Sequence, residues 1–292
     1  MSNDSLSELK ERIRQRRRRT RLYNLSTILF IFFFLVFLVS AGLTALQIYQ
    51  DRKDAAMYDE LSHLVTDPTE PASDGLEPDQ TEIPETLPAG TEAPGEPQEP
   101  TVLPKYQAVY EMNNDLFGWL SIDGTTFNYP VVHTPENEEY YLRRGFDGSA
   151  SRSGVPFLDA DCKTGCGNYL IYGHNMNNGT MFSKLLPYEK EAFWKEHPVI
   201  SFDTLYDEGD YEVIGAFYSR VFYQYEQNVF RFYNYHDLTD PDVFQEFVDQ
   251  VKAASIYDTG IEANYGDQLI TLITCSYGRK HERFVVVARK QP

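Results

Sequence analysis

The longest apolar stretch of the chain lies near its N-terminus. No charged residue occurs between Arg21 and Asp51, and residues 28–46 read ILFIFFFLVFLVSAGLTAL. A helix of this length, at about 1.5 Å per residue, extends roughly 28 Å, which matches the hydrocarbon core of a bilayer. The pattern predicts a single transmembrane anchor over residues 23–49.

A basic segment directly precedes this apolar stretch. Residues 1–22 carry eight Lys and Arg side chains, and such residues are enriched on the cytoplasmic side of membrane helices. We therefore expect residues 1–22 in the cytoplasm and everything after about residue 50 outside the cell. Two alternatives stay open: Ser40-Ala41-Gly42 resembles the cleavage site of a signal peptide, and the arginine run resembles a nucleic-acid patch.

Apolar residues beyond position 105 recur in short runs, which is typical of β-strands with inserted helices. Asp123-Gly124 between two of these runs is a hairpin-turn signal. Many short strands with few helices indicate a mainly β fold that closes, or nearly closes, into a barrel. The predicted strands span residues 118–122, 126–132, 155–158, 169–172, 199–202, 211–218, 268–274 and 283–288; the predicted helices span residues 106–112, 138–144, 181–186, 190–197 and 242–255.

Between the apolar stretch and the predicted barrel lies an acidic, proline-rich segment. Residues 67–104 hold ten acidic residues, no basic residue and nine of the 16 prolines. Such a composition cannot bury a core, so residues 50–104 are predicted to be a short helical extension followed by a disordered spacer. The chain's net charge of -18 makes nucleic acid an unfavourable partner, because phosphate binding needs a basic surface.

Three cysteines carry the first chemical signal, and all lie on the expected outer side of the membrane. Cys162 and Cys166 are either a short disulfide or two free thiols on a loop, and the spacing leaves both readings open. Cys275 is then a free thiol at the end of a buried strand. By its pattern alone it is either a core residue or an exposed nucleophile.

Two further side chains stand where strands begin or end. His174 follows the strand at 169–172, and histidine is the usual proton-exchanging partner of a nucleophilic cysteine. Arg283 begins the last strand, eight residues after Cys275, where a guanidinium can stabilise an oxyanion. Taken singly, each also fits a structural or surface role.

Together these motifs resemble the sortases, membrane-anchored cysteine transpeptidases of Gram-positive bacteria. The resemblance rests on TLITC at 271–275, YGHN at 172–175 and ERFVVVA at 282–288. The helix before the last two strands and NYPVV at 128–132 resemble class B sortases. Ile273 departs from many class B members, in which a small polar residue is common.

The resemblance implies a role for each residue. Cys275 would attack the sorting motif of a secreted protein, His174 would transfer protons, and Arg283 would hold the oxyanion or the substrate. The acyl group would pass through a thioester to an amine of the cell wall peptidoglycan, with no metal or other cofactor. Four further residues are predicted to bind the peptide: Tyr172, Leu142, Thr274 and Asn137.

Rival functions stay open from the sequence. Within the enzyme class, the rival is a pilin-polymerising sortase that uses a lysine amine, or a hydrolase that uses no amine. Outside it, the rival is a non-catalytic anchored binding domain. The enzyme readings require His174, Cys275 and Arg283 to converge in one groove, whereas a binding domain does not. The enzyme readings differ from one another in which partner accepts the acyl group.

Overall fold

The computed structural model describes residues 3–66, 101–275 and 282–292. The chain divides into two units, with residues up to Lys53 in the first and residues from Asp54 onward in the second. Most of the spacer predicted at 67–104 lies outside the described residues. The first helix, α1, runs Asn3–Thr66 and so contributes to both units.

The first unit contains the apolar stretch. Within the described part of the chain, one helix is long and apolar enough to cross a membrane, over Ser26–Thr66. Its apolar side chains, including Ile28, Phe33 and Leu46, are exposed. Length and composition are consistent with the predicted anchor, and a signal sequence meets the same two criteria.

The second unit is built around a closed barrel, as predicted. The strands neighbour one another in the order β1-β2-β3-β4-β7-β8-β6-β5. Most pairs are antiparallel, whereas β4 with β7 and β2 with β3 are parallel. The strands are β1 Leu116–Ser121, β2 Asn128–Val132, β3 Phe157–Leu158, β4 Asn168–Gly173, β5 Val199–Thr204, β6 Asp210–Arg220, β7 Leu269–Cys275 and β8 Glu282–Lys290.

The central strands are apolar because both of their faces are buried. Leu269, Ile270 and Leu272 of β7 are fully buried, as is the run from Phe284 to Ala288 in β8. A strand buried on both faces shows a nearly continuous apolar run rather than alternation. The predicted hairpin is also present: β1 and β2 pair antiparallel, and Gly124 in the turn adopts φ +74°.

Three α-helices follow α1 in the described part of the chain: α2 Pro104–Met112, α3 Glu191–Glu196 and α4 Pro241–Ala254. Asp240 caps α4 by accepting hydrogen bonds from the backbone N–H groups of Asp242 and Val243. An Asp at this position followed by Pro241 is a strong helix start. The buried face of α4 packs on β6, where a Cβ on Gly215 would lie 2.8 Å from Val251.

Two predicted α-helices are 3₁₀ turns instead. The helix expected at 138–144 is a pair of short turns, Pro135–Asn137 and Tyr140–Arg143. The second turn cannot lengthen because the carbonyls of Tyr141 and Arg143 accept hydrogen bonds from outside it. The helix expected at 181–186 is a 3₁₀ helix over Phe182–Glu189, and Pro187 inside it lacks the N–H that an α-helix would use.

Candidate active site

Three neighbouring strands bring the predicted catalytic residues to one edge of the barrel. β4 and β7 are parallel, and Gly173 pairs with Thr274. β8 runs antiparallel to β7, and Cys275 pairs with Arg283. Since His174 directly follows Gly173, the backbone positions of His174, Cys275 and Arg283 are adjacent where β4 and β7 end.

A cavity of about 390 Å³ opens at this edge. Five of the predicted site residues line it: Leu142, Tyr172, His174, Thr274 and Arg283. Asn137 does not; it is exposed at the end of a 3₁₀ turn, where its backbone N–H donates to the carbonyl of Thr134. The remaining lining residues are Glu138, Glu139, Phe157, Gly173, Val221, Phe232, Tyr233 and Ile273.

The imidazole of His174 is oriented by a backbone carbonyl. Its Nε2 lies 2.8 Å from the carbonyl oxygen of Leu142. Because a carbonyl can only accept, Nε2 carries the hydrogen and Nδ1 keeps the free lone pair. Burial lowers the pKa of His174, Arg143 lowers it further, and the Leu142 carbonyl opposes both. The ring is therefore neutral near pH 7 and can accept a proton on Nδ1.

The backbone on either side of His174 is fixed by close packing. The His174 carbonyl accepts a hydrogen bond of 2.9 Å from the N–H of Phe182. The ring of Phe182 packs so close to Gly173 that an added Cβ would lie 2.4 Å from it. Glycine is thus required at position 173, and the sequence Tyr-Gly-His delivers the imidazole to the strand end without a bulky neighbour.

Tyr172 forms a rigid wall of the cavity. Its ring stacks on Phe157 with centroids 5.6 Å apart, and its hydroxyl donates to the Asp159 carboxylate at 3.1 Å. Burial, followed by the charge of Asp159, raises the pKa of Tyr172. The side chain therefore stays protonated near neutral pH, and its ring lines the cavity.

Thr274 offers a hydrogen-bonding group to the cavity. The residue is 1% exposed, and its Oγ1 has no hydrogen-bond partner among the described residues. Buried hydroxyls are nearly always paired. The Thr274 hydroxyl is therefore an exception within the described part of the chain, and the residue lines the cavity.

The cavity also carries opposite charges that the sequence did not reveal. Glu138 and Glu139 line it together with Arg283. The pKa of Glu138 is raised by burial and then by the negative charge of Asp159. The sequence did not predict Glu138 and Glu139 as site residues, because they follow Asn137 in a polar segment that is typical of a surface turn.

The other two cysteines lie at the opposite end of β4, and both are free thiols. The Sγ atoms of Cys162 and Cys166 both donate to the carbonyl of Asn168, at 3.5 and 3.3 Å. Cys162 also accepts from the N–H of Leu170. Of the two readings that the sequence left open, the structure has the pair of free thiols.

Comparison with known proteins identifies relatives of the barrel unit. A family model for the sortase domain matches residues 120–291. Sortase B of Staphylococcus aureus is 31% identical over 192 residues, covering 64% of this chain and 75% of that protein. Sortase B of Listeria monocytogenes is 30% identical over 175 residues, covering 59% of this chain and 68% of that protein.

A solved structure gives the same result. A crystal structure of sortase B complexed with triglycine superposes with a TM-score of 0.63 at 25% identity, covering 82% of this chain and 98% of that one. The barrel and its inserted helices are therefore those of the sortase fold. Since the family model matches more than half of the chain and the curated relatives are class B enzymes, the chain belongs to the sortase family as a class B sortase, a cysteine transpeptidase.

Proposed function

We propose that Cys275, His174 and Arg283 carry out the transpeptidation. The observation that supports this most directly is the register: Cys275 pairs with Arg283, and the residue before His174 pairs with the residue before Cys275. Both His174 and Arg283 line the same cavity. Two parallel strands and one antiparallel strand thus bring these three positions together at one strand edge.

In the first half of the reaction, the Cys275 sulfur attacks a carbonyl carbon of the sorting motif. His174 Nδ1 takes the thiol proton, since Nε2–H is held by the Leu142 carbonyl. The same proton then moves to the nitrogen of the scissile amide, the C–N bond breaks, and the amine leaves. A thioester between Cys275 and the substrate remains.

In the second half, an incoming amine attacks the thioester. His174 removes a proton from the attacking nitrogen and returns it to the departing thiolate, so that the enzyme is regenerated. Arg283 stabilises the negative oxygen that forms in each tetrahedral intermediate. A guanidinium suits this role because it is always charged and presents several donors.

The peptide groove is formed by Leu142, Tyr172 and Thr274. Leu142 and the ring of Tyr172 supply apolar surface, and the unpaired Thr274 hydroxyl supplies a hydrogen bond. Glu138 and Glu139 add negative charge to the groove that Arg283 also lines. The substrate is the sorting signal of a secreted surface protein.

The acceptor in this proposal is an amine of the cell wall peptidoglycan. The related sortase B with triglycine bound supports an acceptor with a primary amine. A lysine of a pilin is the alternative acceptor, and no feature of the cavity favours it. The apolar stretch would anchor the enzyme with residues 1–22 in the cytoplasm and the barrel outside the cell, near substrates that emerge there.

The test is peptide cleavage by the full chain in detergent micelles, with and without triglycine. The wild type should cleave members of a sorting-peptide library and form products extended by triglycine. Cys275→Ala should form neither product, whereas Cys166→Ser, which removes a thiol at the other end of β4, should form both. Retained cleavage by Cys275→Ala would remove the thiol from the mechanism, and hydrolysis that triglycine leaves unchanged would indicate a hydrolase.

A further inference from the structure

The last part of α1 packs on the barrel unit. Asp54, Tyr58 and Leu61 are 8%, 6% and 1% exposed, and they lie four and three residues apart. Residues at this spacing share one face of a helix. Met57, Leu64 and Val65 on the same face pack against the core of the barrel unit. Residues 54–66, the docking segment, therefore belong structurally to the catalytic unit.

Polar contacts tie the docking segment to residues 151–155, the serine loop. The hydroxyls of Ser151 and Ser153 both donate to one carboxylate oxygen of Asp54, at 2.6 and 3.1 Å. The Tyr58 hydroxyl donates to the carbonyl of Gly154. The ring of Tyr58 also packs edge-to-face on Tyr129, with centroids 5.4 Å apart. One face of a helical turn thus holds three residues of the serine loop.

The serine loop in turn holds the residues on both sides of Leu142. The N–H of Ser151 donates to the carbonyl of Arg143, and the N–H of Val155 donates to the carbonyl of Tyr141, both at 3.1 Å. Gly154 lies so close that an added Cβ would be 2.8 Å from the Leu142 carbonyl oxygen. That oxygen accepts the hydrogen bond of 2.8 Å from His174 Nε2.

We infer that the docking segment is a positioning element for catalysis: Asp54 and Tyr58 hold the serine loop, which holds the Leu142 carbonyl that orients His174. This inference rests on the proposed role of His174. The contacts form a continuous path of hydrogen bonds with one close backbone approach. Loss of the first contacts in that path leaves the Leu142 carbonyl less fixed, and the imidazole loses its orientation. Misplacement of a catalytic group lowers the rate of the chemical step more than it lowers binding.

The experiment uses the full chain in micelles and measures kcat and KM for peptide cleavage. The double variant Asp54→Ala/Tyr58→Phe should lose roughly tenfold in kcat while KM changes less than about twofold, because neither substituted side chain lines the groove. Asp54→Asn keeps an oxygen that accepts from the two serines and should restore most of the rate. Glu60→Ala removes an acidic residue from the exposed face of the same helix and is the matched control, with wild-type kinetics.

Amide hydrogen exchange supplies a readout that does not depend on activity. In the double variant, the N–H groups of Ser151 and Val155 should exchange faster while those of β7 stay protected. If the double variant is unstable, the single variant Tyr58→Phe, which removes one oxygen atom, is tested instead. Its kcat and its amide exchange in residues 151–155 then decide whether the inference holds. A wild-type kcat together with unchanged exchange in residues 151–155 would overturn the inference.

A parallel assay of His174→Ala separates this inference from the proposed function. If His174→Ala keeps its activity, the role assigned to His174 fails, whatever the docking segment does. If His174→Ala is inactive and the double variant is normal, the inference alone fails. A loss of thermal stability in the double variant with full kcat would likewise reduce the docking segment to a structural element and overturn the positioning role.

Discussion

The two ends of the parallel pair β4 and β7 hold the same chemical group in opposite environments. At the amino end, Cys162 and Cys166 are 2% and 9% exposed, and both thiols are bound by the Asn168 carbonyl. At the carboxyl end, roughly 17 Å away along the strands, the backbone position of Cys275 is adjacent to those of His174 and Arg283, and the latter two residues line a cavity.

The difference between the two ends shows which surroundings suit a catalytic thiol. The neighbouring thiol of Cys162 lowers the pKa of Cys166, so a lowered thiol pKa by itself does not distinguish a catalytic cysteine. At the amino end the sulfurs already have backbone partners, and the nearby Arg289 is paired with Glu212. Substitutions at the carboxyl end should therefore lower activity more than stability, and those at the amino end should do the reverse.

After Cys275→Ala, which should form no product, the largest effect should follow from His174→Ala. Removal of the imidazole that we propose exchanges the thiol proton should lower kcat/KM by about a thousandfold. The melting temperature should stay within a few degrees of the wild type, since the ring is only half-buried. Thermal unfolding followed by circular dichroism, together with peptide cleavage, tests both. If His174→Ala is largely unfolded and its loss of activity matches the unfolded fraction, His174 has a structural role rather than a catalytic one.

A smaller loss should follow from Arg283→Lys. Lysine keeps the charge but lacks the planar set of donors, so we expect a loss of roughly a hundredfold in kcat. Arg289→Lys is the matched control, because Arg289 lies on the same strand near the amino end of β7, where it pairs with Glu212 at 2.6 Å. Equal losses in the two variants would abolish the contrast between the strand ends.

The converse result is expected for Cys162→Ala. This change removes a buried sulfur and leaves the N–H of Leu170 without its acceptor. The free energy of unfolding should fall by about 1–3 kcal/mol. Urea denaturation measures it, and kcat/KM at 25 °C should match the wild type. A drop in activity without a drop in stability would mean that Cys162 at the amino end influences catalysis at the carboxyl end, contrary to this prediction.

The smallest effect concerns the pH profile. The pKa of His174 is lowered by burial and by Arg143, so the neutral ring persists as the pH falls below its ordinary value of about 6.5. The acid limb of kcat/KM should therefore lie below pH 6.5. Arg143→Gln removes a positive charge that disfavours imidazolium, so the limb should move to higher pH.

The control for this shift is Arg144→Gln. Arg144 is the next residue and stacks on Tyr140 rather than acting on His174. Glu138, Glu139 and Arg283 line the same cavity and stay in place in both variants. An acid limb that moves equally in the two variants, or moves downward, would contradict the assigned electrostatics.

Much of the fold follows from local patterns in the sequence. The buried runs of β7 and β8, the Asp123-Gly124 turn and the Asp240-Pro241 helix start all act within a few residues, so they were predicted close to their observed bounds. The 3₁₀ turns were not, because the Tyr140–Arg143 turn is limited by hydrogen bonds from the distant serine loop.

The site residues also fall into those marked by local sequence and those placed by distant contacts. His174 and Arg283 stand at strand ends that the sequence marks, whereas Glu138 and Phe232 reach the cavity only through tertiary packing. Asn137 was predicted from the family resemblance and lies outside the lining. The docking segment did leave a signal: Met57, Tyr58, Leu61, Leu64 and Val65 repeat at helical spacing just beyond the apolar stretch.

The parallel pairing of β4 with β7 also bears on how the enzyme folds. The paired residues Gly173 and Thr274 are 101 positions apart in the chain, and contacts between such distant residues form slowly because a long loop must close first. The hairpin of β1 and β2 can form early and locally, but His174 and Cys275 meet only once β4 has paired with β7. Recovery of transpeptidase activity during refolding therefore reports this long-range pairing, and chains that lack it carry a thiol without its partners.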